Sequence, residues 1–285
     1  MKIAVLKTNE ASHLFTIQKG DEYFACPSIS TLTDAFQLPL AQFRSLVESN
    51  SGTSVQGELV APIAPEIELW GAGVTYLRSR DARKEESGVP DVYQRVYEAD
   101  RPELFFKGNA RRTRGTNAPI GIRYDSAASV PEPEVAIFIN RHKEIIGYSI
   151  CNDVTARSME GENPLYLSQA KMYVGSASLG PHMTPSWLIP TPAKTTIDAK
   201  IMRSGKSIWN ASTSLAALNR TLPDLVDYLF RCQEFPDGVI LSTGTGIVPP
   251  LEIALSPGDI VEISVAGIGT LSNPVITIPE SPLNN

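Results

Sequence analysis

The sequence predicts a mainly β protein with α elements, an α+β chain in which a small N-terminal α/β domain precedes a larger β-rich one. Three observations carry that expectation. From Leu104 onward, runs rich in Val, Ile, Thr, Phe and Tyr recur between turn residues, as in "PEVAIFIN", "EIIGYSICNDV" and "DIVEISVAGIGTLSNPVITI". Helical periodicity is confined to a few short stretches. A proline-broken link, "VAPIAPEIE", cuts off a first portion too small to carry chemistry alone, which gives domains at 1–65 and 66–285.

Taken in order, "MKIAVLK", "SHLFTIQKG" and "EYFACP" alternate in polarity and are divided by turn residues, so each reads as a short strand. "LPLAQFRSLVESNS" puts Leu40, Phe43, Leu46 and Val47 on one helical stripe. After the link, "IELWGAGVTY" reads as a strand running into a glycine turn. "SRDARKEES" and "DVYQRVYEAD" read as two short charged helices, and Val92 with Val96 and Tyr93 with Tyr97 give the second a packing side. The pair can form a lid over a site or a surface excursion, and the sequence does not choose. Strands follow in "ELFFKG", "PEVAIFIN", "EIIGYSICNDV", "KTTIDAKIMRSGKSIWNAST", "GVILSTG" and the C-terminal run. One good helix interrupts them: "TLPDLVDYLFRC" has Thr221 as N-cap, proline and aspartate in its first turn, and Leu222, Leu225, Val226, Leu229 and Phe230 on one side.

The bulk numbers narrow the function. The 285 residues are 42% apolar and 20% charged, with 25 Lys and Arg against 31 Asp and Glu, for a net charge of −6. Such a chain, with no basic block, is not built to bind nucleic acid or an anionic membrane surface. No run approaches the roughly 18 apolar residues that a membrane span needs. "MKIAVLKTNEASH" carries charges inside its first apolar stretch, unlike a secretion signal. Cys26, Cys151 and Cys232 are odd in number, far apart and without a CxxC, which argues against a disulfide framework or a zinc-thiolate site. They read as small buried residues of a reducing, cytoplasmic compartment.

One hairpin stands out. In "VPEPEVAIFINRHKEIIGYSICNDVTA", Glu132 and Glu134 lie one residue apart and therefore project to one face of a strand. Pro131 and Pro133 place this segment at a strand start, an edge or a bulge. If "NRHKE" reverses the chain near His142, Glu132 falls opposite Asp153 and three carboxylates converge. Crowded like charges destabilise unless protons or cations compensate them. A hard divalent cation would do so, with magnesium, manganese or calcium favoured over zinc because histidine and cysteine are not nearby in the sequence. An acid-studded solvated edge is the competing reading, and spacing alone leaves both open.

"PEPEVAIFI", "GYSICNDVTARSMEGENPLYLSQAK", "STGTGIVPP" and "LSPGDIVEISVAGIGTLSN" occur in order and resemble the fumarylacetoacetate hydrolase family over about residues 66–275. The resemblance implies a β-rich fold around a divalent metal, usually Mg2+, with Mn2+ or Ca2+ as alternatives. It implies a small 2-oxo acid substrate and a homodimer or homotetramer. Carried over by motif, Glu132, Glu134 and Asp153 are the metal ligands, Lys171 is the active-site lysine, and Thr245 lies near the substrate carboxylate. Tyr76 matches a motif tyrosine, but the histidine with which the family's hydrolases activate water falls on or near Ser79. That departure counts against hydrolysis or decarboxylation of a diketo acid, the alternative activity.

"TYLRSRDA", "RPELFFK" and "EGENPLYLSQAK" look more like the family's sugar-acid branch, whose members dehydrate 2-keto-3-deoxy-pentonates to 2,5-dioxopentanoate through an enolate and β-elimination. There, the equivalent of Glu103 lies near the substrate. Lys171 and Glu103 are thus the candidate acid and base, with Tyr76, Arg78 and Arg80 as candidate substrate contacts. A non-catalytic oxo-acid-binding member is the third reading, and the intact ligand set speaks against it.

Overall fold

The computed structural model describes residues 1–86 and 90–280; Ser87, the last residue of the predicted helix "SRDARKEES", lies outside them. The N-terminal portion forms β1 (Lys2–Lys7), β2 (Leu14–Lys19), β3 (Glu22–Ala25), α1 (Leu32–Phe36), α2 (Leu40–Glu48), β4 (Ser54–Val55) and β5 (Glu58–Val60). Next come β6 (Glu68–Gly73), α3 (Leu77–Glu86), α4 (Pro90–Glu98), β7 (Glu103–Gly108), β8 (Thr113–Arg114) and β9 (Ile120–Arg123). The acidic hairpin is β10 (Pro133–Ile139) and β11 (Ile145–Asp153), followed by α5 (Arg157–Glu162), α6 (Leu167–Lys171) and β12 (Ala177–Pro185). The chain closes with β13 (Thr196–Arg203), β14 (Lys206–Ser214), α7 (Leu222–Leu229), β15 (Val239–Ser242), β16 (Ile260–Val265) and β17 (Gly269–Ile278).

These strands form two sheets. A 12-stranded sheet runs β4-β3-β2-β1-β12-β11-β10-β15-β6-β7, with β5 on β1 and β8 on β12. A 5-stranded sheet runs β14-β13-β16-β17-β9. The expected α+β class is what the chain adopts. The first portion is hydrogen-bonded into the large sheet, because β1 pairs antiparallel with β12 at Ile3 and Met183.

Strand β10 lies between β11 and β15, and all of it is buried. Its Val135, Ile137 and Ile139 enter one apolar core, shared with β13, β16 and α7. Its Ala136 and Phe138 enter a second core with Ile3, Phe15, Phe36 and Phe43. Two buried faces explain why "VAIFI" is an unbroken apolar run rather than an alternating one. Helix α7 begins as read: the Thr221 hydroxyl accepts from the Asp224 N–H, and proline sits in the first turn.

Three details differ from the sequence reading. Helices α1, α5 and α6 are five or six residues long, too short to display a 3.6-residue stripe, and depend on tertiary packing. On α4 the inward side is Tyr93 with Val96 and Tyr97 half-buried, whereas Val92 is exposed. Cys26 and Cys151 are buried, but Cys232 is exposed at a positive-φ turn after α7, so it is not the buried residue expected.

Candidate metal and active site

The hairpin register gathers the acids. Pro133 pairs with Asn152 and Glu134 with Cys151, and the Asp153 N–H donates to the Glu132 carbonyl at 3.0 Å. Glu132 therefore faces Asp153, and the period of two puts Glu134 on the same face. One carboxylate oxygen from each of the three lies within 4.8 Å of the others, and all three side chains are buried. Asn152 orients the group from behind, accepting the Glu132 N–H on its Oδ1 at 3.1 Å.

Each acid has a distinct environment. Glu134 Oε2 accepts from the Ser242 hydroxyl at 2.5 Å and the Gly244 N–H at 2.8 Å. Burial, reinforced by the charges of Asp153 and Glu132, still pushes its carboxyl up to about 8. Gly244 has φ +92, and a Cβ there would meet the Thr75 hydroxyl at 1.9 Å, so the loop that aims this N–H requires glycine. Burial also works against an ionised Glu132, but Lys171, Arg83 and Arg157 outweigh it and hold the carboxyl well below its usual range.

Basic side chains line the acids. Lys171 Nζ lies 2.5 Å from Glu132 Oε2 and 2.9 Å from Asp153 Oδ2. Burial opposes its charge, but Asp153 and Glu132 prevail and raise its pKa. Lys107 is fully buried; its ammonium meets Asp153 Oδ1 at 2.5 Å and donates to the carbonyls of Lys171 at 2.6 Å and Val154 at 3.1 Å. That is a framework role, which sequence proximity to Glu103 did not reveal. Arg83 from α3 and Arg157 from α5 reach Glu132 Oε1 at 3.0 and 3.2 Å, and both also pair with Glu160. The sequence reading gives no role to Arg83, Arg157 or Glu160, although Arg157 closes the motif run "NDVTAR". The i, i+3 spacing of Arg157 and Glu160 in "TARSMEGE" was the available signal.

The remaining candidates divide. Glu103 stands opposite Gly73 in the β6–β7 register, and burial, only partly countered by Arg83, raises its pKa. The Tyr76 hydroxyl is buried without a hydrogen-bond partner, and burial and then the charge of Glu134 raise its pKa. The Thr245 hydroxyl lies 2.9 Å from the carbonyls of Pro133 and Ile247 and accepts the Ile247 N–H, so it braces the loop beside Glu134. Arg78 and Arg80 pair elsewhere: Arg78 is exposed near Glu85 at 3.7 Å, and Arg80 meets Asp81 at 2.6 Å and lies over the Tyr97 ring. Helix α3 does cover the site, through Arg83 rather than through either of them.

The donor set fits a hard divalent cation. It offers carboxylate oxygens only, from rigid strand ends, with a partnerless tyrosine hydroxyl beside them. Burial, and after it the charges of Asp153 and Glu132, favour a proton on Glu134, a place that a bound cation would take instead.

The chain is similar to known proteins. The family pattern described as "Fumarylacetoacetate (FAA) hydrolase C-terminal" matches residues 69–276. A Haloferax volcanii protein named "Probable 2-keto-3-deoxyxylonate dehydratase" is 44% identical over 224 residues, covering 79% of this chain and 77% of that one. The 2-dehydro-3-deoxy-D-arabinonate dehydratase of Saccharolobus solfataricus is 39% identical over 237 residues, covering 82% of this chain and 78% of that one. A solved structure of 2-keto-3-deoxy-D-arabinonate dehydratase complexed with magnesium and 2,5-dioxopentanoate superposes with a TM-score of 0.84 at 32% identity, over 97% of this chain and 99% of that one.

Proposed function

The chain belongs to the fumarylacetoacetate hydrolase family, and from that premise we propose that it is a divalent-metal-dependent hydro-lyase. It removes water from a 2-keto-3-deoxy pentonate and yields 2,5-dioxopentanoate, as the names and bound ligand of its relatives support. The single observation that carries this reading is the buried Glu132, Glu134 and Asp153 cluster with Lys171 against it. Hydrolysis would ask for an activated water. The three histidines are instead bonded to Ser12, to the Gln37 carbonyl and to the Ile268 carbonyl.

In this reading Glu132, Glu134 and Asp153 hold the cation, for which we favour Mg2+. When bound, such a cation supplies Lewis acidity that polarises a 2-oxo group and makes the neighbouring C–H acidic. Glu103, whose pKa burial raises, is the acid of this reading and gives a proton to the departing 4-hydroxyl. Lys171 is the base that takes the C3 proton; a cation held by Glu132 and Asp153 would offset the carboxylate charge that raises its pKa, and so would release the neutral amine for that step. The two roles together remove one C3 hydrogen and the C4 hydroxyl as water and leave a C3=C4 double bond conjugated to the 2-oxo group; a proton then moves from C5 to C3, and the resulting C4=C5 enol takes a proton at C4 and loses its hydroxyl proton to give the C5 aldehyde. The Tyr76 hydroxyl has donor capacity left for a substrate oxygen. Thr245 acts by holding the loop whose N–H groups face the site. A substrate role for Arg78 or Arg80 requires their pairs with Glu85 and Asp81 to open. We further propose that the enzyme is cytoplasmic and works as a homodimer or homotetramer, which light scattering of the purified protein tests.

The deciding experiment is mass spectrometry of products from a panel of 2-keto-3-deoxy acids with Mg2+. Loss of one water is expected. Release of carbon dioxide or of two acids would refute the dehydratase. K171A and E103Q are each expected to lower kcat by 100-fold or more, on the order of a general acid or base contribution. Parent-like turnover in both would remove the acid and base assignment.

A further inference from the structure

We propose that Arg83 is a positioning residue that orients Glu132 for the metal and ties helix α3 to the metal centre. The inference rests on the reading of Glu132 as a ligand. It starts from a closed ring of four buried charges. Arg83 Nη2 meets Glu132 Oε1 at 3.0 Å and Glu160 Oε1 at 3.3 Å. Arg157 meets the same two acids, Glu132 Oε1 through Nη2 at 3.2 Å and Glu160 Oε2 through Nη1 at 3.1 Å. All four side chains are at most 5% exposed.

The ring has a directional consequence. Two guanidinium groups hold Oε1 of Glu132, while its Oε2 meets Lys171, which also meets Asp153 Oδ2. The ring thereby selects which oxygen, and which carboxylate plane, faces the cation. Outer partners of this kind set the orientation of the ligands that they touch.

Arg83 also arrives from a braced helix. One segment, Leu218 to Arg220, holds both ends of the α3–α4 pair. Leu218 bridges to Tyr76, and the Asn219 N–H donates to the Thr75 carbonyl at 2.8 Å. At the far end, Asn219 donates to the Tyr97 carbonyl and Arg220 to the carbonyls of Val96, Ala99 and Asp100. Between those fixed ends, Arg83 reaches Glu132 from α3. Order in the helix and order in the ligand are therefore linked through one side chain.

The test uses two charge-conserving variants of the full chain, R83K and E160D, so that a change reports geometry and not field. A lysine ammonium lacks the fixed planar N–H directions with which Arg83 Nη2 meets both Glu132 and Glu160. Titration calorimetry of the metal-stripped proteins with Mg2+ is expected to show Kd raised about tenfold or more in each folded variant, the usual scale for losing such a partner. Amide exchange across residues 77–86 is expected to quicken in both. A purely structural role would lower Tm and leave the Mg2+ Kd unchanged, and either folded variant binding Mg2+ within twofold of the parent overturns the proposal. A parent that binds Mg2+ but dehydrates no 2-keto-3-deoxy acid refutes the reaction and not this role. A parent that takes up no divalent cation refutes both.

Discussion

A single missing methyl group keeps Glu103 where it stands. A Cβ on Gly73 would lie 1.9 Å from Glu103 Oε2, so G73A must turn that carboxylate aside. Because the clash is with the end of a flexible side chain, the fold should survive within about 1 kcal/mol while kcat falls tenfold or more, since misplacement of a reacting group by about 1 Å is costly. Parent-like kcat in G73A would argue against Glu103 as a reacting group. His182 offers a second residue-scale expectation, in stability. Burial first, and Lys2 next, depress its pKa to about 4, while Nε2 bonds the Ile268 carbonyl. Its unfolded value is near 6.5, so between pH 6.5 and 4 the unfolded chain binds the extra proton. The stabilisation is full above pH 6.5 and is lost on acidification toward 4, at up to about 1.4 kcal/mol per pH unit. H182Q should show a smaller fall in Tm than the parent between pH 7 and 5. An equal fall in both would mean that His182 is not the titrating group.

At the scale of elements, the α3–α4 pair depends on Arg220. Its guanidinium donates to three carbonyls at the end of α4, where the helix dipole is negative. R220A is expected to cost about 1.5–3 kcal/mol, the range for hydrogen bonds that involve a charged group. The loss should be local: faster amide exchange in residues 77–86 and 90–98, with β10 and β11 still protected. Uniform loosening of the hairpin as well would show that Arg220 supports the whole fold. The same pair answers the lid-or-excursion question left open by its charge pattern. Apolar spacing favoured neither reading, because α3 covers the site through an arginine, and a buried ion pair leaves no hydrophobic stripe to read.

For the whole molecule, two expectations concern unfolding. We keep the division at residues 1–65 and 66–285 as a proposal about organisation. Because β1 joins β12, and the second core takes Ile3 and Phe15 together with Ala136 and Leu179, both parts should melt in one calorimetric transition. Two separated transitions would show that they are energetically independent. Added Mg2+ should stabilise the chain by about 2.7 kcal/mol at one hundred times its Kd, and a chelator should reverse that gain. A Tm indifferent to Mg2+ and chelator would count against the metal site.

The sequence by itself determined the class of the fold, most strand positions, and the meeting of Glu132, Glu134 and Asp153. Those features follow from local rules: a period of two fixes which face a strand residue takes, and the centre of a hairpin fixes its partner. Spacing alone leaves the cation open, and the motif resemblance favours it. Only the tertiary structure decided that Arg83, Arg157 and Glu160 ring Glu132, that Lys107 holds Asp153, and that Arg78 and Arg80 turn to other acids. Arg83 lies 49 residues from Glu132, and Lys107 lies 64 from the Lys171 carbonyl that it binds. Periodicity states which way a side chain points from its own element. Which distant element it then meets is settled by how sheets and helices pack, and charged partners chosen at that range leave no repeat in the chain to reveal them.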